Sequence, residues 1–84
     1  MIERLEKFNN KIIDRVILFI FIDKLSGYDK QFYFIMKDKF IKLWQKEEGV
    51  LFPIKDLNLN EEELKKFYDW FMYFNTFENI HFES

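Results

Sequence analysis

The side chains able to do covalent or acid–base chemistry are few in this chain and badly spaced for it. One histidine, His81, stands close to the end of the sequence, and there is no cysteine. The hydroxyl nucleophiles other than tyrosine are Ser26, Thr76 and Ser84. Acyl transfer needs a nucleophile beside a base, and a third group to orient the base. No Ser–His–acid spacing can be assembled from these residues, and no glycine-rich loop is available to cradle a phosphate. Carboxylates are densest at Glu61, Glu62, Glu63 and Asp69. A calcium loop alternates its acids around a glycine, and a dimetal bundle carries Glu-x-x-His pairs on facing helices. Neither pattern is present. No catalytic residue, metal ligand or cofactor is expected, and the chain reads as a non-enzymatic protein.

Lysines offer a second kind of chemistry. Lys39, Lys42 and Lys46 fall on one face of a helical pattern, with Lys30 and Lys37 nearby, and such a stripe can meet phosphates. Asp38, Glu47 and Glu48 interrupt it, and the chain holds only two arginines, the residue type behind the commonest specific base contact. The net charge of −2 also disfavours a general nucleic-acid binder. A nucleic-acid-associated regulator using these three lysines is kept as an alternative reading; the plainer one is a solvated helix face.

Three apolar patterns must position whatever site exists. The first runs over 2–25, where Leu5, Phe8, Ile12, Val16 and Phe19 recur in steps of three and four, the period of one helix face. The second runs over 29–47, with Phe32, Met36, Phe40, Leu43 and Trp44 as its stripe and Tyr33 beside it. Gly27 is placed to stop the first helix and Asp29 to cap the second. So short a connection implies antiparallel neighbours. The third begins at Asn60, where Glu63 completes a capping box and Leu59 and Leu64 are placed to form a hydrophobic staple. Leu64, Phe67, Phe71 and Phe74 form its stripe, flanked by Tyr68 and Trp70. Glu61–Lys65 and Glu62–Lys66 are spaced as helical ion pairs. Between the second and third patterns, Gly49 ends a helix, and the apolar run over 50–54 is too hydrophobic for a solvated loop, so it should pack on the core. Residues 77–84 receive no assignment.

These patterns predict one all-α domain over 1–84, a small three-helix bundle made of a helical hairpin plus a third helix. The minority reading is an α+β fold in which 16–22 and 31–36 form a β-hairpin, since both runs are rich in β-branched or aromatic residues. With 84 residues starting at Met1, the chain reads as a complete small frame with room for one core. Its longest apolar run, 16–22, is far shorter than the roughly 20 residues of a membrane span, and no signal-peptide pattern precedes it. A cytoplasmic protein with no membrane association is expected. Alanine is absent, and Phe, Tyr, Ile, Asn and Lys make up about half of the chain. Those residue types have A/T-rich codons, so an AT-rich genome such as that of a low-GC bacterium or its phage is inferred, and part of the phenylalanine excess then reflects codon bias.

What remains is an apolar surplus. Leu18, Phe21 and Ile22 in the first pattern, Phe34, Ile35 and Ile41 in the second, and Met72 and Tyr73 in the third fall off the main stripes. Three helices around one core each hide one stripe, and an exposed apolar patch usually marks an interface. The expected function is a small protein-binding module, in the manner of a phage or mobile-element inhibitor or adaptor acting on a larger protein. Its expected contact residues are Leu18, Phe21, Ile22, Phe34, Ile35 and Ile41. The alternative is a structural homodimer burying Phe21, Phe34 and Ile35 against a symmetry mate.

Overall fold

Asn9 and Asn10 decide the first turn of the chain's path. Asparagine is a weak helix former, because its side chain competes with the backbone for hydrogen bonds. Two in succession, followed by the β-branched Ile12 and Ile13, end the first helix. The computed structural model, which describes residues 2–46 and 49–74, therefore splits the first periodic segment. Helix α1 is Ile2–Asn9, strand β1 is Ile12–Asp14 and helix α2 is Arg15–Leu25. The Asp14 side chain starts α2, its Oδ1 accepting from the amide nitrogens of Val16 at 2.7 Å and Ile17 at 3.4 Å. An aspartate at this position satisfies amide donors left over at the first turn.

The expectation of one helix over 2–25 is thus corrected, and its stripe with it. The break resets the rotational phase. Leu5 and Phe8 are buried on α1 and Ile13 on β1, but the buried face of α2 is Leu18, Phe21, Ile22 and Leu25. Val16 and Phe19, which a continuous helix would have buried, point outward.

Helix α3 spans Lys30–Lys46 and buries Phe32, Met36, Phe40 and Leu43. Asp29 caps it, Oδ1 accepting from the Phe32 amide at 3.1 Å. The turn before it is tight: the amides of Tyr28 and Asp29 both donate to the Leu25 carbonyl, at 2.9 and 2.8 Å. Gly27 does not take up the left-handed conformation of a helix-stopping glycine. This short link lays α3 antiparallel on α2, as the spacing predicted. The runs 16–22 and 31–36 are helical, so the hairpin reading at those positions is corrected.

A small sheet forms elsewhere. Strand β2, Leu51–Pro53, pairs antiparallel with β1 in the register Ile12–Pro53, Ile13–Phe52 and Asp14–Leu51. Side chains alternate across a strand, so the central pair Ile13 and Phe52 both enter the core, while Leu51 points away. A 3-10 turn, Ile54–Leu57, follows and buries Ile54 and Leu57. The 50–54 run therefore does pack on the core, through Phe52 and Ile54.

Helix α4, Glu61–Phe74, follows the sequence reading most closely. Asn60 Oδ1 accepts from the Glu63 amide at 2.8 Å, and the Asn60 amide donates to Glu63 Oε1 at 2.9 Å. That is the reciprocal capping box. Asn60→Ala is expected to lower the unfolding free energy by about 1 kcal/mol, read as a shifted urea midpoint at unchanged slope. Leu64, Phe67, Phe71 and Phe74 are all buried. The two expected ion pairs within the first turns of α4 are replaced. Lys65 pairs with Asp69 at 3.0 Å, and Lys66 reaches Asp29 at 3.1 Å.

The buried residues form one core cluster. Phe21 of α2 lies against Phe67, Phe71 and Phe74 of α4, with ring centroids 4.9, 5.5 and 5.6 Å away. Phe8 of α1 meets Phe67 from another side at 5.1 Å. Among the described residues the architecture is thus four helices with a two-stranded antiparallel sheet, mostly helical as predicted but with one helix more than the bundle and with a sheet at unexpected positions. Among the described residues, no helix is long and apolar enough to cross a membrane.

Candidate functional site: an apolar face on the second and third helices

The six residues expected at an interface divide in the structure. Leu18, Phe21 and Ile22 are buried. Their assignment to a surface is corrected: they are the core stripe of α2, and Phe21 cannot face a symmetry mate. Phe34 and Ile41 are exposed on the outer face of α3. They lie seven residues apart, two turns of the same helix face. Ile35 is more enclosed and sits on the flank toward α4, beside a groove that Phe32, Lys66 and Asp69 also line.

In place of the buried three, the structure exposes Val16, Phe19 and Ile20 on α2 and Trp44 on α3. Phe19 and Phe40 rings lie 6.2 Å apart, and Phe40 and Trp44 rings 5.4 Å apart. The Arg15 guanidinium stands 4.4 Å over the Trp44 ring, a distance at which the ring quadrupole attracts a cation. These contacts join the two outer helix faces into one apolar strip. At the Arg15 end the amide of Arg15 donates to the Val50 carbonyl at 2.8 Å, and Val50 and Leu51 are exposed there too. The strip was hidden from a sequence reading that carried the phase of α1 across the Asn9–Asn10 break. The available signal was Asp14 as a helix cap, from which 18, 21, 22 and 25 count as the inner stripe.

The lysine stripe behaves differently. Lys39, Lys42 and Lys46 do line one groove, between α3 and the 3-10 turn, together with Asp56 and Asn58. Lys39 Nζ donates to the Asn58 carbonyl oxygen at 2.8 Å and lies 3.5 Å from Glu63 Oε1. Lys42 lies 3.1 Å from Asp38 Oδ2. Asn58 itself is left-handed, at φ 56°, a conformation asparagine tolerates. Lys39 thereby ties α3 to the turn that precedes α4. Two of the three lysines already face carboxylates, and a phosphate would have to compete with both.

A second exposed aromatic group gathers at the opposite end of α2. Tyr28 packs edge-on against Trp70, Tyr73 and Phe74, with centroids 5.8, 6.0 and 5.1 Å away. The Trp70 indole N–H donates to Asp29 Oδ2 at 3.1 Å, so this group joins α4 to the α2–α3 turn. Met72 and Tyr73 stay exposed on α4.

Among the described residues, no group of three His, Cys, Asp or Glu side chains is placed to hold a metal ion. His81, Thr76, Ser84, Glu47 and Glu48 lie outside the described residues, as does the 77–84 tail. No family model, curated protein or solved structure matches this chain.

Proposed function

We propose that this protein works by binding a protein chain through the outer face of α2 and α3, in the cytoplasm and without catalysis. The observation that carries the reading is the continuity of the apolar strip. Val16, Phe19, Ile20, Phe34, Ile41 and Trp44 are each 45–59 % exposed. Single exposed apolar residues are ordinary, but six of them gathered on two neighbouring helix faces are the usual mark of an interface. Aromatic enrichment also fits, since tryptophan and phenylalanine bury much area with few rotatable bonds.

The reading predicts that charge on the strip abolishes association while leaving the fold intact. Phe19→Glu and Trp44→Glu each remove an exposed ring, so far-UV circular dichroism and the melting temperature should change little. Association through this face, read as self-association or as capture of a host protein, should fall by more than about tenfold, as for a central contact residue. Retained binding in both variants would overturn the assignment of this face.

A further inference from the structure

We infer that the chain docking on this face is a second copy of the protein itself, related by a two-fold axis running parallel to α2 and α3. The inference rests on the binding face proposed above and names its occupant. Consider the outward stripe of each helix. On α2 it reads Val16, Ile20, Asp23, and on α3 it reads Phe34, Lys37, Ile41, Trp44, in steps of three and four. Each stripe is apolar except for one charge, and the two charges are opposite. Arg15 is level with Trp44 and Phe19 with Phe40. Each four-residue step along α2 therefore matches a four-residue step back along α3. One further step brings Asp23 level with 36 and 37, beside Lys37.

Asp23 and Lys37 make no ion pair with each other or with any other described residue; Lys37 rests 5.6 Å over the Tyr33 ring. A two-fold axis parallel to the helices lays α2 of one copy over α3 of the other at the same level. Asp23 then meets the second copy's Lys37, and the symmetry repeats the pair. Val16 and Ile20 meet the second copy's Trp44 and Ile41. The face is thereby complementary to itself, which an isologous interface requires, and the Asp23–Lys37 pair favours this register over its slips. The area is adequate. Six side chains at about half exposure supply roughly 500 Å² of mostly apolar surface. Asp23, Lys37 and a surrounding polar rim bring the contact toward the ~800 Å² per partner of a stable interface.

The test is sedimentation velocity on the full chain from low to high micromolar concentration, with charge-exchange variants. The wild type should pass from monomer to dimer. Asp23→Lys and Lys37→Asp alone place like charges opposite each other, and each should raise the dissociation constant by at least about tenfold. The double variant Asp23→Lys/Lys37→Asp should return to within a few-fold of wild type. Circular dichroism confirms that all three remain folded. A chain that stays monomeric throughout overturns the second copy as occupant. If it then still captures a host protein that Phe19→Glu releases, the binding face stands; if it captures nothing, the face falls as well. A dimer that the double variant fails to restore overturns this pairing.

Discussion

Phe21→Ala is expected to destabilise the protein by about 3–5 kcal/mol, the cost of truncating a fully enclosed phenylalanine. Phe21 has no exposed surface, and its ring sits among Phe67, Phe71 and Phe74. Those three rings belong to a helix far away in sequence, so Phe21 is where α2 and α4 are joined. Removing it strips area from water exclusion and leaves a void that aromatic neighbours with few rotamers cannot readily fill. A domain of this length has a total stability of only about 4–13 kcal/mol. The melting temperature is expected to fall by about 15–30 °C, measured by circular dichroism. Phe19→Ala, two positions away and exposed, should shift it by only a few degrees. Equal losses at the two sites would mean that the phase of α2 is wrong.

The second large effect is expected at Asp29. One carboxylate does three things there. Oδ1 caps α3, and Oδ2 accepts from Lys66 Nζ and from the Trp70 indole N–H, each at 3.1 Å. Asp29→Ala is expected to cost about 2–4 kcal/mol, a lost cap plus hydrogen bonds to a charged acceptor. Asp29→Asn separates the parts, because an amide still caps a helix but turns a donor toward two donors. It should lose the α4 connection alone and fall between wild type and Asp29→Ala. Partial burial acts to raise the pKa of Asp29. The Phe32 amide, Lys66 and Trp70 outweigh it and hold the carboxyl below its ordinary value of 3.8. A group whose folded pKa is depressed stabilises the fold above its unfolded value, and that contribution is lost as pH falls through the folded one. The gap in urea stability between wild type and Asp29→Asn should therefore be full at neutral pH and close below about pH 3.8. A gap unchanged into strong acid would show that the carboxylate charge is not what binds α4.

Elements bounded by strong local chemistry were legible in the sequence. Asn60 and Glu63 satisfy each other's amides within three residues, so the start of α4 needs no information from elsewhere. Asp29 at the head of α3 and the Leu64–Phe74 stripe are of the same kind. The strands were not legible. Three residues at 12–14 acquire a ladder only because 51–53 lie beside them, and no short-range pattern announces a partner so far along the chain. The candidate site was half legible for a related reason. Phe34 and Ile41 sit on α3, whose phase is set locally. The α2 half is not legible from a stripe carried through Asn9 and Asn10, because the helix breaks there and α2 starts in a new phase at Asp14.

The sequence alone determined that this chain is mostly helical and where its third and fourth helices begin. Each of those follows from contacts within a turn or two of helix or from the residue types present. Which apolar residues are core and which are surface was decided by the tertiary structure. A helical stripe turns by about 100° per residue, so the break between α1 and α2 exchanges the inner and outer faces of α2. The Asp14 cap starts α2 in its phase, and the distant rings on α4, which receive Phe21, hold it there.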